Sequence, residues 1–179
     1  FLYPASKNWW SRSGEPEKMP VGEPGGPDSE VFFDFGIERK FHENSEWKDE
    51  VCHPNCDCGR FMEIANSVFM QYKKAPDGSL KELSQKNVDF GGGLERMAAA
   101  VNDNPDVFTI DVFKPLIDVL TQVSSQEYGS TPEVTRTMRV ISDHMRAAVM
   151  LMADGVTPSN KGQGYVLRRL IRRAVRHGR

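Results

Sequence analysis

One stretch limits the possible folds more than any other: Asp89-Phe90-Gly91-Gly92-Gly93-Leu94-Glu95-Arg96-Met97, where the hydrophobic period changes. Before the glycines, Val88 and Phe90 alternate as strand residues do. After them, Leu94, Met97, Ala98 and Val101 recur at helical spacing, so the three glycines form a strand-to-helix junction. Glycines let a backbone approach a ligand closely, and the start of the following helix favours an anion. Arg96, one turn into the helix, is a candidate phosphate grip, and Asp89, just before the glycines, a candidate partner for an ammonium group. A flexible turn with a surface arginine fits the same pattern, because Gly-rich turns are common. A Walker loop does not fit, since no Lys-Ser or Lys-Thr follows the glycines.

Around this junction the chain reads as strands, then helices. Glu30 to Phe35 is predicted as a strand with Val31, Phe33 and Phe35 on one face, and Phe61 to Tyr72 as a second, mostly buried strand. Ala75-Pro76-Asp77-Gly78 supplies a turn, and a third strand passes through Val88 and Phe90. Residues 11–28 are rich in Pro and Gly and read as a long ordered loop or lid, and residues 36–60 as a polar insertion between two strands. A helix is predicted through Val112, Phe113, Leu116, Ile117 and Leu120, with Pro115 tolerated near its start. Thr131-Pro132 has the form of an N-cap followed by Pro at the first helical position. Val134, Met138, Ile141, Met145, Val149 and Met152 then keep helical spacing until Gly155. The last helix begins near Gly164, with Leu167, Leu170, Ile171, Ala174 and Val175 as its buried stripe. The predicted fold class is α+β: an antiparallel β-sheet with flanking helices over residues 1–123, with the insertion at about 36–60, then an all-helical segment over 124–179.

Charge is unevenly spread. Residues 161–179 hold Lys161, Arg168, Arg169, Arg172, Arg173, Arg176 and Arg179 with no acid, while the other residues carry 16 basic and 25 acidic side chains. A solvated face usually mixes signs, so the all-basic helix favours contact with a polyanion over a plain solvated surface. No apolar run approaches the length of a membrane span, and no membrane partner is expected. The first residues lack the pattern of a signal peptide, and the missing initiator Met suggests an internal piece of a longer chain. The three cysteines, Cys52, Cys56 and Cys58, lie too close together for a disulfide framework and suit a reducing cytoplasm. Cys52, His53, Cys56 and Cys58 offer four ligands for tetrahedral zinc. Against this, C-x3-C-x-C is not a standard knuckle, and neighbouring Cys52 and His53 rarely bind one ion, so a reduced tight turn stays open.

Several segments together carry a specific resemblance. The run GGGLERM resembles motif 3 of class II aminoacyl-tRNA synthetases. Three further segments resemble the alanyl-tRNA synthetase family and occur in its order: Asn8-Trp9-Trp10 with the Gly/Pro loop to Ser29-Glu30, then Glu63 to Phe69, and the long run from Arg139 to Gly178. The resemblance spans almost the whole chain and is weakest over 36–58 and 121–133. It implies the class II catalytic fold, continuing into the start of a helical domain that recognises the tRNA acceptor stem.

The resemblance also implies roles. Arg96 would hold the ATP γ-phosphate, with Gly91, Gly92 and Gly93 beside the nucleotide, and Asp89 would pair with the amino group of alanine. Trp10 and Val68 would wall the side-chain pocket, although both also suit plain core packing. Asn66 would add a polar contact. Asn160 would read a G·U pair in the acceptor stem of tRNA(Ala), with Arg168, Arg169, Arg172, Arg173 and Arg176 on the phosphates. ATP would be a substrate and magnesium would bridge its phosphates. The sequence departs from the family at Ala65, where Trp is usual, leaving a roomier or differently filled site floor. It departs again at Gly25 and Asp28, which stand where the family has loop cysteines. The motif 2 arginine that clamps the α-phosphate is not found in the chain, so the chain alone is expected to be inactive. A non-catalytic tRNA-binding or regulatory relative is the alternative, though it would need neither Asp89 nor Arg96. A free-standing editing hydrolase fits poorly, because His42, His53, His144 and His177 are scattered in the sequence.

Overall fold

The computed structural model describes all 179 residues. Strands β1 (Trp9–Ser11), β2 (Pro24–Asp34), β3 (Phe61–Lys74) and β4 (Leu80–Gly92) form one antiparallel sheet in sequence order. Helices α1 (Leu94–Val101), α2 (Lys114–Ser124), α3 (Pro132–Ala153) and α4 (Gly162–His177) follow, so the expected α+β architecture is the one observed. The chain packs as two compact units, Phe1–Pro105 and Asp106–Arg179. This packing boundary falls ahead of the 123/124 division suggested by the Ser/Gln/Gly linker, because α2 packs against α3.

The Pro/Gly-rich segment is more regular than its composition suggests. Residues 24–28, expected to be loop, are the first part of β2. Two features make this possible. The register against β3 shifts between Gly25 and Asp28, and Pro27 sits inside that irregularity, where a missing N–H is tolerated. Gly26 lies so close to β3 that an added Cβ would stand 1.7 Å from the Phe69 carbonyl oxygen. A second shift, between Val31 and Phe32, breaks the alternation expected for Val31, Phe33 and Phe35. Phe35 is buried with its ring 4.9 Å from that of Phe33, whereas Val31 is half exposed.

Residues 36–60 contain no strand and only a short 3-10 turn, Ile37–Arg39, as expected of an insertion. The β3–β4 hairpin closes through Ala75 N–H donating to Ser79 (2.9 Å) and Gly78 N–H to Ala75 (3.0 Å), with Gly78 at φ 81°. Beyond β4, the Gly93 N–H donates to the Ile64 carbonyl (2.9 Å), fixing the start of α1 against β3.

In the second unit, the Thr131 hydroxyl accepts from Val134 N–H at 3.1 Å and Pro132 opens α3, as the sequence predicts. The helix ends at Ala153, just before Gly155 at φ 86°. Its buried side is rotated from the expected stripe. Met138, Ser142 and Ala148 are buried, while Met145, Val149 and Met152 are exposed, since small Ser142 and Ala148 provide the close-packing face. On α4, Leu167 and Ala174 are buried as expected, whereas Val175 is half exposed. Arg139 donates to the Tyr128 hydroxyl (2.7 Å) and to Asp106 Oδ2 (2.8 Å), tying α3 to the segment before α2. Burial, and then the hydrogen bond to Asp106, push the Tyr128 hydroxyl up to about 12.

Because Gly26 has no room for a methyl group, Gly26→Ala is expected to destabilise the sheet unit by about 3 kcal/mol, the upper end of overpacking costs. A urea titration followed by tryptophan fluorescence checks this, and an unchanged midpoint would contradict the close approach of β2 and β3.

Candidate functional site

Sheet register brings most of the expected substrate residues together. Val68 lies opposite Asp89 on β4 and Asp28 on β2, and Asn66 lies opposite Gly91 and Glu30. Opposed residues in an antiparallel pair share a face, as do residues two apart. Asp28, Glu30, Asn66, Val68 and Asp89 therefore line one face across three strands. Ala65, opposite Val31 and Gly92, belongs to the other face, so the departure from Trp at this position does not shape the floor of this face. A Cβ on Gly92 would stand 2.6 Å from the tip of Met97, which shows that α1 covers that second side. Trp10 pairs with Gly26 in β1 and is 43% exposed, whereas Val68 is 6% exposed, so only Val68 has the burial of a pocket wall.

Arg96 is held by a residue that sequence reasoning missed. Its Nη1 donates to the Glu63 carbonyl at 3.0 Å and to Glu63 Oε2 at 3.2 Å. The Asn66 amide approaches the other carboxylate oxygen of Glu63 at 3.5 Å. Glu63 thus aims both Arg96 and Asn66, and the guanidinium stays half exposed. An acid inside the otherwise apolar run Phe61–Tyr72 was the available signal for Glu63.

Glu63 also lies near two further acids. Burial raises the Asp28 carboxyl above the ordinary range, with the charge of Glu63 adding to it. Burial likewise raises Glu30, followed by the charges of Glu63 and Asp28. Asp28 Oδ1 is buried without a hydrogen-bond partner. The face therefore suits a bound cation, because its anions are desolvated and repel one another.

The cysteine insertion differs from its expected ligand set. His53 is not with the thiols; its Nδ1 lies 2.9 Å from the Tyr3 hydroxyl. Neighbouring side chains in an extended turn point apart, so Cys52 and His53 diverge. His42, scattered in the sequence, joins them: ligand atoms of His42, Cys52 and Cys58 all lie within 4.8 Å of one another. Cys56 Sγ stands 3.5 Å from His42 Nδ1. The available signal was a histidine inside the insertion, in the pattern H-x9-C-x3-C-x-C.

On α4, Arg168, Arg169, Arg172, Arg173 and Arg176 line a groove of about 720 Å³ together with Tyr165. Arg168 and Arg169 stand over the Tyr165 ring at 5.6 and 5.8 Å. Asn160, in the preceding loop, accepts from Arg168 Nη1, so its carbonyl is already engaged by the helix it precedes. The loop is seated firmly: Ser159 N–H donates to the Gly164 carbonyl (3.0 Å), and a Cβ on Gly164 would meet Ser159 Oγ at 2.3 Å.

Asp28→Asn and Glu30→Gln are each expected to stabilise the protein at neutral pH. The sign follows from the raised folded-state carboxyls. Each acid destabilises the fold above its raised folded value, and that penalty vanishes below the ordinary unfolded value. Urea midpoints measured from pH 3 to 8 check this: the variants' advantage must shrink as the pH falls, and an advantage independent of pH would refute the charge argument.

Comparison with known proteins gives the family. Residues 4–179 match the family described as tRNA synthetases class II (A). The chain is 44% identical over 174 residues to an alanine–tRNA ligase of Fusobacterium nucleatum, covering 97% of this chain and 19% of that protein. It is 42% identical over 181 residues to the alanine–tRNA ligase of Treponema denticola, covering 100% of this chain and 28% of that protein. With that of Desulfosudis oleivorans the identity is 46% over 156 residues, covering 87% and 17%. The chain thus spans less than a third of the length of these curated relatives. With a family match over nearly its whole length and the sheet, Gly-rich junction and helices described above, the chain belongs to the class II (A) tRNA synthetases.

Proposed function

We propose that this chain forms part of an alanine–tRNA ligase: the later portion of the domain that activates alanine with ATP, and the start of the helical domain that meets the acceptor stem of tRNA(Ala). The observation that carries this reading is the junction of β4 and α1, which sets Arg96 beside Glu63 and Asn66, next to Val68 and Asp89 on one sheet face. In this reading Asp89 takes the ammonium of alanine and Val68 limits the room for its methyl group. Arg96 takes the γ-phosphate, with the backbone of Gly91 to Gly93 against the nucleotide. Magnesium supplies charge neutralisation on the phosphates when bound, and Asp28, Glu30 and Glu63 offer the hard carboxylate oxygens it takes. An alanine carboxylate oxygen attacks the α-phosphorus, the bond to pyrophosphate breaks, and the alanyl group then passes to the terminal ribose. The protein contributes position and charge, with no covalent enzyme intermediate. The class also uses a motif 2 arginine on the α-phosphate, so the 179 residues by themselves are expected to give no alanine-dependent ATP–pyrophosphate exchange.

For the RNA, the acid-free face of α4 supplies phosphate contacts, and Asn160 reads the guanine 2-amino group of a G·U pair across the shallow minor groove. Its pairing with Arg168 presents the amide in a fixed orientation while leaving the second lone pair of its oxygen for a donor.

Calorimetric titration separates the roles. Asp89→Ala is expected to weaken a non-hydrolysable alanyl-adenylate analogue about tenfold or more, while Arg96→Ala weakens a non-hydrolysable ATP analogue by a similar factor. A folded chain that binds neither analogue would refute a site preformed in these residues. With an acceptor-stem RNA duplex, Arg172→Ala or Arg173→Ala is expected to lower the slope of log affinity against log salt by about one for each phosphate left unneutralised. Asn160→Ala is expected to remove the preference for G·U over G·C at unchanged slope. Equal slopes for wild type and the arginine variants would count against the phosphate role.

A further inference from the structure

We propose that His42, Cys52, Cys56 and Cys58 form a structural zinc site in the insertion between β2 and β3. This inference stands independently of the ligase reading.

The geometry points to a metal in several ways. Three ligand atoms, from His42, Cys52 and Cys58, lie within 4.8 Å of one another. The fourth, Cys56 Sγ, is 3.5 Å from His42 Nδ1. Tetrahedral zinc with sulfur at about 2.3 Å and nitrogen at about 2.0 Å sets ligand atoms about 3.6 Å apart, so His42, Cys52 and Cys58 need only close inward, while Cys56, outside that trio, must turn its thiol from His42 toward the ion to complete the shell. His42 and Cys58 are each 8% exposed, in a segment otherwise polar and charged. All three cysteines are free thiols.

The histidine is already set in the ligating form. Its Nε2 lies 3.0 Å from the Glu50 carbonyl oxygen, which can only accept. Nε2 therefore carries the hydrogen, and Nδ1 presents its lone pair to the thiols. A backbone carbonyl fixing the far nitrogen is the usual support for a metal-bound imidazole. Arg60, close to Cys52, supplies positive charge beside what would be three thiolates on one dication. Binding displaces three thiol protons, one from each cysteine. With no open coordination position the ion would be structural. It would join the His42 arm of the insertion to the Cys52–Cys58 arm, and so anchor the approach to β3, which carries Glu63 and Asn66.

The test is metal analysis of the 179-residue chain purified under reducing conditions, followed by cobalt(II) substitution. The expected result is one zinc ion per chain and, with cobalt, the intense visible bands of a tetrahedral thiolate site. His42→Ala and Cys58→Ser are expected to lose the metal, His42→Cys to retain it, and His53→Ala to leave content and spectrum unchanged. Should His42→Ala or Cys58→Ser fail to fold, reactivity of the wild-type thiols decides: they should be blocked to a thiol reagent until a chelator is added, with a fall in melting temperature on chelation. Substoichiometric metal with no cobalt spectrum, thiols reactive without chelator, or loss of metal in His53→Ala but not in His42→Ala would each overturn the proposal. So would a disulfide among the three cysteines in the metal-free chain that does not give way to metal on reduction.

Discussion

The register between β3 and β4 is the constraint on which the candidate site depends. The ladder runs to Ala65 opposite Gly92, and the Gly93 N–H extends it by one bond to Ile64 before the chain turns into α1. Side chains alternate along a strand, so a slip of one residue would send Asn66 and Val68 to the face now covered by Met97. It would also carry Arg96 out of reach of Glu63, because α1 starts where the ladder ends. At Gly92 the tip of Met97 packs into the space a side chain would take, so a larger residue there would push the Met97 methyl aside. The glycines thus serve two ends. They let α1 close down on one face while keeping the backbone bare at the rim of the other.

That other face is electrostatically unfinished. Asp28, Glu30, Glu63 and Asp89 sit on or beside it, with Arg96 the guanidinium bound there through Glu63. Burial and mutual repulsion disfavour the charged forms of Asp28 and Glu30. A fold that keeps acids in such a place is less stable for it, and a positive charge on this face would relieve the repulsion. Helix α4 presents the opposite case, with five arginines along a groove and no acid in the last 19 residues. Both places gather side chains of one sign on a surface laid out by the backbone, and charge of the opposite sign would be favoured at each.

The parts of the fold that could be read from sequence were those set by local physics. The change of period at Gly91–Gly93 and the Thr131–Pro132 cap each depend on a few adjacent residues, and both are found where expected. The parts that could not be read depend on distant partners. Residues 24–28 look like loop because Pro and Gly are poor strand formers, and they become strand only because β3 passes close enough to accept them. Glu63 and His42 were missed for a related reason. Glu63 is one acid in an apolar strand, and its role appears only when α1 folds back beside it. Adjacency already spoke against Cys52 and His53 as joint ligands, and the turn sends His53 to Tyr3; what the sequence did not show was His42, brought in from ten positions upstream.

The insertion shows how a strandless segment can be accommodated beside a site that needs precise register. Its two ends are pinned together at the sheet: Asp34 pairs with Phe61, the Phe35 N–H donates to the Arg60 carbonyl (3.0 Å), and Arg60 grips Asp34 with two hydrogen bonds of 2.7 and 2.6 Å. The Arg60 guanidinium also lies over the Phe61 ring at 4.8 Å. With the neck closed in this way, the entropic cost of closing the loop rises only slowly with its length, so extra residues cost the sheet little. What they must not do is pull on β3, whose third residue is Glu63. The neck fixes the two ends of the loop at the sheet, and ligand atoms of His42, Cys52 and Cys58 gather within the loop. Beyond the neck the insertion is tied down at further points, with His53 Nδ1 2.9 Å from the Tyr3 hydroxyl and Arg39 donating to the Asp103 carbonyl at 2.9 Å, so its order rests on several anchors besides Arg60.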